Sequence, residues 1–155
     1  MANAFALSIA STLAVAMVAT AAAGALPVEV QQALRTQKEI WVATRRADGS
    51  RSTAAPIWFW WDGANLYFST GPDTHKAKRV RAGSPVYFSV AGKAGPFFEG
   101  APEIVNDLQL VERLGDEYSK KYWIAWLGFF RPRAARVSSG KTVVVKVVPK
   151  ADGPS

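Results

Sequence analysis

The sequence predicts a mainly β domain, a six-stranded antiparallel β-barrel with short peripheral α-helices. Three observations predict it. Six runs rich in β-branched and aromatic residues recur along the chain. Asp-Gly pairs, the strongest short hairpin signal, separate the early runs at Asp48-Gly49 and Asp62-Gly63. Apolar residues at helical spacing are confined to short stretches. A chain of 155 residues, 49% hydrophobic and 20% charged, suits one globular domain with a single core.

The elements follow in order. LPVEVQQALRTQ (26–37) places Val30, Ala33 and Leu34 on one helical face, with Pro27 at a first-turn position. KEIWVATRR (38–46) reads as a strand, and RSTAAPIWFWW (51–61) returns from the Asp48-Gly49 turn. Pro56 marks that return strand as an edge or a bulge. LYFST (66–70) is the third strand of an antiparallel meander. A short helix, capped by Asp73 or Thr74, runs through Arg81 until Gly83 and Pro85 stop it. PVYFSVA (85–91) and FFEGAPEIV (97–105) are two further strands. Asp107 caps a helix over 108–122, with Leu110, Val111, Leu114 and Tyr118 on its apolar face. WIAWLGFFRPR (123–133) reads equally as helix or loop, and KTVVVKVVP (141–149) is the last strand.

Charge and residue usage narrow the function. A net charge of +7 favours an anionic partner. Cysteine is absent, which excludes disulfides and thiolate metal sites. A single histidine makes a conventional zinc site within one chain improbable, and no metal is expected. The first 28 residues carry no charged side chain, and eleven of the first 26 are alanine. Residues 1–25 therefore read as a signal-like or membrane segment, although a basic n-region is missing. Any membrane contact is expected only there. The chain is cytoplasmic if this segment is a dispensable extension, and exported or anchored otherwise. Residues 26–150 form the expected domain, and 151–155 a disordered tail.

The stretch YFSTGPDTHKAKRVRAG (67–83) holds the lone histidine and four of the nineteen Lys and Arg. A helix N-terminus favours anions, so cations in its first turn oppose the dipole. Ser69 and Thr70 add hydroxyls just before it, and Gly71 allows close approach. A bound phosphate gives His75 and Lys76 a purpose there. The competing reading is a solvated helix that happens to be basic.

The order DGSRSTAAPIWFWWDGANLYFSTGPDTHKAKRVRAGSPVYFSV resembles the pyridoxamine 5'-phosphate oxidase-like superfamily, the FMN-binding split barrels. Residues 27–148 carry the resemblance, and relatives of this shape include F420-dependent reductases. It implies a split barrel, FMN or F420 as a phosphate-bearing flavin-type cofactor, and a homodimer with cofactor sites at the interface. It further implies that Ser69, Thr70, His75 and Lys76 grip the phosphate. The backbone of Ala55, Pro56, Ile57 and Trp58 would line the isoalloxazine edge, and Arg51 is a candidate for phosphate or substrate. The superfamily's C-terminal pyridoxal-phosphate signature is not recognisable, so true pyridoxamine-phosphate oxidase activity is not expected.

Two other aromatic and basic groups stand open. Trp58-Phe59-Trp60-Trp61 alternates between two faces, giving either core and interface or a wall beside the cofactor ring. Arg131 and Arg133 either close the pocket over an anionic substrate or end a packed helix in solvent. Glu99 and Glu103 share one strand face and read as solvent or interface charges. The leading function is a flavin- or deazaflavin-dependent oxidoreductase acting on a small organic molecule, with no catalytic residue assigned. The alternative is a non-catalytic flavin, haem or tetrapyrrole binder. Nucleic acid is set aside because the aromatics fall in strands with core-like alternation. A chain shortened to begin at Leu26 is expected to fold and to keep ligand binding. Loss of its cooperative thermal transition would show that residues 1–25 pack into the domain.

Overall fold

A computed structural model describes residues 26–128, 130–150 and 153–154. The Ala-rich segment and most of the expected tail lie outside the described residues. Seven strands form one antiparallel sheet: β1 (Glu39–Thr44), β2 (Ala55–Trp58), β3 (Trp60–Trp61), β4 (Leu66–Thr70), β5 (Val86–Ser89), β6 (Phe98–Ile104) and β7 (Val143–Pro149). Their spatial order is β2-β1-β5-β6-β7-β4-β3. The two outermost strands, β2 and β3, are consecutive in sequence and separated only by Phe59. One stretch of chain thus supplies both edges, and the sheet curls into a nearly closed barrel.

This is where the expected six strands become seven. The run 51–61 is broken twice. Arg51 makes only an isolated bridge to Arg45, and ladder pairing resumes at Ala55 opposite Val42. At Phe59 the chain leaves β1 and joins β4, pairing Trp60 with Tyr67 and Trp61 with Leu66. Pro56 does stand on an edge strand, where its missing N–H costs no ladder bond.

Helices α1 (Val28–Thr36) and α2 (His75–Arg81) pack against the barrel core. Val30 and Leu34 of α1, with Ala77 and Val80 of α2, join Ile40, Val42, Phe59, Phe68, Phe88, Val145 and Val147 in that core. Helix α3 (Leu108–Lys121) covers the outer face. Its Val111, Leu114 and Tyr118 meet Tyr67 and Val144. Alternation along β7 explains itself: Val143, Val145 and Val147 face the barrel core and Val144 faces α3, so nearly the whole strand is apolar. Asp107 caps α3, accepting from the backbone N–H of Gln109 at 2.9 Å and of Leu110 at 3.2 Å. Thr74 rather than Asp73 caps α2, accepting from Ala77 N at 3.2 Å.

The C-terminal end of α3 secures the break at Phe59. The Tyr118 hydroxyl donates to Trp58 O at 2.8 Å. The Tyr122 hydroxyl accepts from Phe59 N at 3.0 Å and lies 2.6 Å from Lys38 O. Lys121 Nζ donates to Phe59 O at 3.1 Å and sits 3.4 Å from the Phe59 ring centroid. A strand that stops pairing leaves buried backbone groups without partners, and here side chains sixty residues away supply them.

Tyr122→Phe removes the acceptor for Phe59 N at a buried position. The expected loss is about 1–3 kcal/mol, the cost of an unsatisfied buried donor. Urea denaturation should show a lower midpoint at unchanged slope; an unchanged midpoint would mean that the break holds without this bond.

Candidate functional site

The two edges contributed by residues 55–61 do not meet along their whole length. β3 covers only Leu66 and Tyr67 of β4, so the outer edge of Ser69 and Thr70 faces the free edge of β2 across a split. A cleft of about 1010 Å³ opens there. Pro56, Ile57 and Trp58 line it from β2, and Ser69, Thr70 and Gly71 from the end of β4. Tyr118 comes from α3, and Phe130, Arg131, Arg133, Arg136 and Lys141 from the segment between α3 and β7. Among the described residues, Glu39 is the one acidic residue of the lining.

Aromatic stacking builds one section of this cleft. Trp58 lies parallel to Tyr122, with ring centroids 4.2 Å apart and planes within 3°. Tyr118 meets Trp58 edge-on at 6.4 Å, as does Phe130 at 5.9 Å. Phe130 takes a left-handed backbone, with φ 57°. That conformation costs a non-glycine residue about 1–2 kcal/mol. The alternation of the Trp-rich run survives the strand break: Trp58 and Trp60 pack with the α3 cluster, while Phe59 and Trp61 pack with the barrel core.

A basic arm builds the other section. After the short helix α4 (Trp123–Trp126), the chain doubles back along α3 and forms α5 (Ala134–Ser138). Arg131 Nη2 lies 2.6 Å from Asp116 Oδ1, and Ala134 N donates to Glu112 Oε1 at 2.7 Å. Gly115 permits the contact, since a Cβ there would stand 2.5 Å from Pro132 O and 2.9 Å from Arg131 Nε. A mid-helix glycine costs about 1 kcal/mol relative to alanine, and close approach of the arm is what that cost allows. Beyond the arm, Arg136 Nε donates to Thr142 Oγ1 at 3.2 Å, and Lys141 N donates to Arg136 O at 2.8 Å.

Of the residues singled out by sequence, Pro56, Ile57, Trp58, Ser69 and Thr70 come together in the cleft lining. Ala55 lies one residue before it on β2. His75 is exposed on α2, Lys76 is half-buried beside it, and neither lines the cleft. Burial holds the Lys76 ammonium below its usual range. Arg51 lies on the far side of β1, its guanidinium carbon 4.2 Å from the Phe97 ring centroid and 5.9 Å from that of Tyr87. Glu103 and Glu99 make cross-strand ion pairs with Lys146 and Lys150. Arg131 and Arg133 do line the cleft, and Arg136, Lys141 and Tyr118 join them unannounced. A sequence signal that could locate the arm is the glycine at position 115, inside an otherwise regular helical pattern.

The profile described as pyridoxamine 5'-phosphate oxidase (PNPOx_N) matches residues 26–151. The chain belongs to the pyridoxamine 5'-phosphate oxidase family. No curated protein matches it. Among solved structures, an F420 reductase is 26% identical, with a TM-score of 0.57, over 81% of this chain and 97% of its own. The conserved protein Rv2991 of Mycobacterium tuberculosis is 20% identical, with a TM-score of 0.57 and 83% of each chain covered. General stress protein 26 of Bacillus anthracis is 19% identical, with a TM-score of 0.53, over 78% of this chain and 89% of its own. The last two share the fold and carry no further argument.

The titrating groups around the strand break give a pH signature. Burial pushes the Tyr118 and Tyr122 hydroxyls well above their usual range, and burial with the Asp62 hydrogen bond pushes Tyr67 to about 12. The stability that these raised values confer is complete below about pH 10, where free tyrosine ionises, and is lost as pH rises through the folded values. Lys121 behaves oppositely: burial lowers it to about 8 from an ordinary 10.5. Below pH 8 the folded state carries the penalty of its charge, and stability rises from there toward 10.5. Thermal midpoints should therefore climb above pH 8 and fall beyond about pH 10. Lys121→Met should abolish the climb and keep the fall; a climb of undiminished size would exclude Lys121 as its source.

Proposed function

We propose that this protein is a flavin- or deazaflavin-dependent oxidoreductase that binds FMN or F420 in the cleft between β2 and β4. One observation carries the reading: in a chain of this family, the split between β2 and β4 opens onto a cleft that is aromatic on one side and cationic on the other. The residues fit such a cofactor. Ser69 and Thr70 bring hydroxyl groups, that of Thr70 held 2.9 Å from Thr74 Oγ1, the free edge of β2 offers backbone groups, and Trp58, Tyr118 and Phe130 offer flat apolar surface. The likeness to an F420 reductase at 26% identity supports the deazaflavin branch. Hydride exchange with a small organic substrate is the chemistry that such a ring supplies when bound. The chain's part is to bind and orient the ring and to limit access of water.

In this reading Pro56, Ile57 and Trp58 flank the ring, with Ala55 continuing the same edge, and Ser69 and Thr70 approach the phosphate. His75, Lys76 and Arg51 would contribute from outside the lining. A homodimer fits the surface. Trp123, Leu127 and Phe130 are 70%, 53% and 76% exposed, an apolar load that a second copy would cover. The tetrapyrrole alternative lacks comparable support, since its natural axial ligand, His75, is exposed and outside the cleft.

Titrating FMN, F420 and riboflavin into the protein while following tryptophan fluorescence tests this. Quenching that saturates with FMN or F420, and is reduced in Trp58→Leu, is the expected result. Absence of binding by all three would remove the proposal.

A further inference from the structure

A substrate must lie beside the cofactor, and a second cavity adjoins the cleft. We infer that the notch between the start of β1 and the end of α3 is the substrate subsite. It takes a flat ring bearing a cationic group, stacked on aromatic side chains and paired with Glu39. The inference rests on the cofactor reading above and names the substrate class for that site.

The notch holds about 280 Å³ and is lined by Lys38, Glu39, Trp58, Tyr122, Trp123 and Ile124. That space suits one ring with a short substituent and is too small for a flavin with its chain. Glu39 and Trp58 also line the main cleft, so the two cavities share a wall. Strand register builds that wall, because Glu39 pairs with Trp58 across β1 and β2. Side chains directly opposite on antiparallel neighbours share a face, with Cβ atoms about 4.5–5.5 Å apart. The carboxylate therefore stands beside the indole. Trp58 is fixed by its parallel stack on Tyr122, whose hydroxyl lies 2.6 Å from Lys38 O. Trp123 follows at once, 70% exposed and without a ring contact among the described residues.

Charge decides the class of ring. Glu39 makes no ion pair among the described residues. Its field reaches the Tyr122 hydroxyl, which burial raises most and this carboxylate raises further. The other charged side chains of the main cleft are Arg131, Arg133, Arg136 and Lys141. Among the described residues of the two linings, Glu39 alone attracts a cation. Lys38 lines the notch but not the cleft, so Glu39 is the charge that both cavities share. An amidinium or ammonium group on a flat ring meets both features of the wall. The cation and ring face the indoles, and the N–H groups reach the carboxylate in a charge-assisted hydrogen bond.

Benzamidine, benzamide and benzoate are matched probes, one ring carrying a cationic, a neutral or an anionic substituent. Each is titrated by ligand-observed NMR into the full chain, as wild type, Glu39→Gln, Trp123→Ala and Glu29→Gln. All three positions are exposed, so the variants should keep the wild-type thermal midpoint. Wild type should bind benzamidine most tightly and benzoate least. Glu39→Gln should bind benzamidine about three- to fivefold more weakly, the size expected of an ion pair open to solvent, and benzamide nearly as before. Trp123→Ala should weaken benzamidine and benzamide alike, and Glu29→Gln, on α1 and outside both linings, should change nothing. Equal affinities for the three rings in wild type, tighter binding of benzoate, or a benzamidine preference that survives Glu39→Gln would overturn the assignment. Binding of none of them to wild type, as when a second copy fills the notch, would overturn it too. The cofactor reading fails separately, through absence of FMN and F420 binding in a protein that still ranks the three rings; that result leaves the cationic-ring site standing.

Discussion

The structure depends on how the chain is held at Phe59. A barrel closed by one continuous strand would need residues 55–61 to pair on both sides at once. They pair instead with β1 before Phe59 and with β4 after it. The backbone at the change-over is satisfied by the hydroxyls of Tyr118 and Tyr122 and the ammonium of Lys121. Those three side chains fall on the last turn and C-cap of one helix, so α3 acts as the clasp of the barrel. The same clasp sets the width of the split: Trp58 is stacked on Tyr122 and carries the free edge of β2 with it. Closure of the barrel and the shape of the cleft are thus joined at one helix end.

Much of the fold was legible because its causes are local or periodic. The β-branched run at 141–149, the Asp-Gly turns and the apolar stripe of α3 each dictate their own structure, as does the edge position of Pro56. The break at Phe59 was not legible, because its partners lie sixty residues away and nothing in PIWFWW itself forbids continued pairing. Of the site, the β2 and β4 contributions followed from the family resemblance, which tracks strand ends. His75 and Lys76 illustrate the limit of spacing as a guide. Sequence places them in a helix's first turn, but only packing of Ala77 and Val80 into the core decides which way that turn looks. Arg131 and Arg133 stood out in the sequence, but the course of the arm did not: RPRAARVSSGK has no apolar period, and its path is fixed by Gly115, Glu112 and Asp116 on another element.

The arm and the barrel contribute in different ways. Barrel residues in the cleft are backbone edges, hydroxyls and rings whose positions follow from the sheet. Arm residues are long cations anchored through α3 by exposed ion pairs and one backbone hydrogen bond. Substitutions on the arm can therefore alter charge at the cleft without disturbing the core, whereas substitutions at Trp58 or Tyr118 disturb both.

The division of one strand between two edges also bears on self-association. An open sheet normally exposes two long rows of unpaired backbone groups to which another chain can add. Here one edge is four residues long with a proline in it, and the other is two residues long. The opening between them is overlaid by α3 and the arm rather than left bare. Detachment of α3 would uncover both edges together with the aromatic run Trp58–Trp61, a segment of high β-propensity and no charge. A molecule filling the cleft and bridging the barrel to the arm would oppose that detachment, so occupancy of the site would double as protection against fibre-like strand addition.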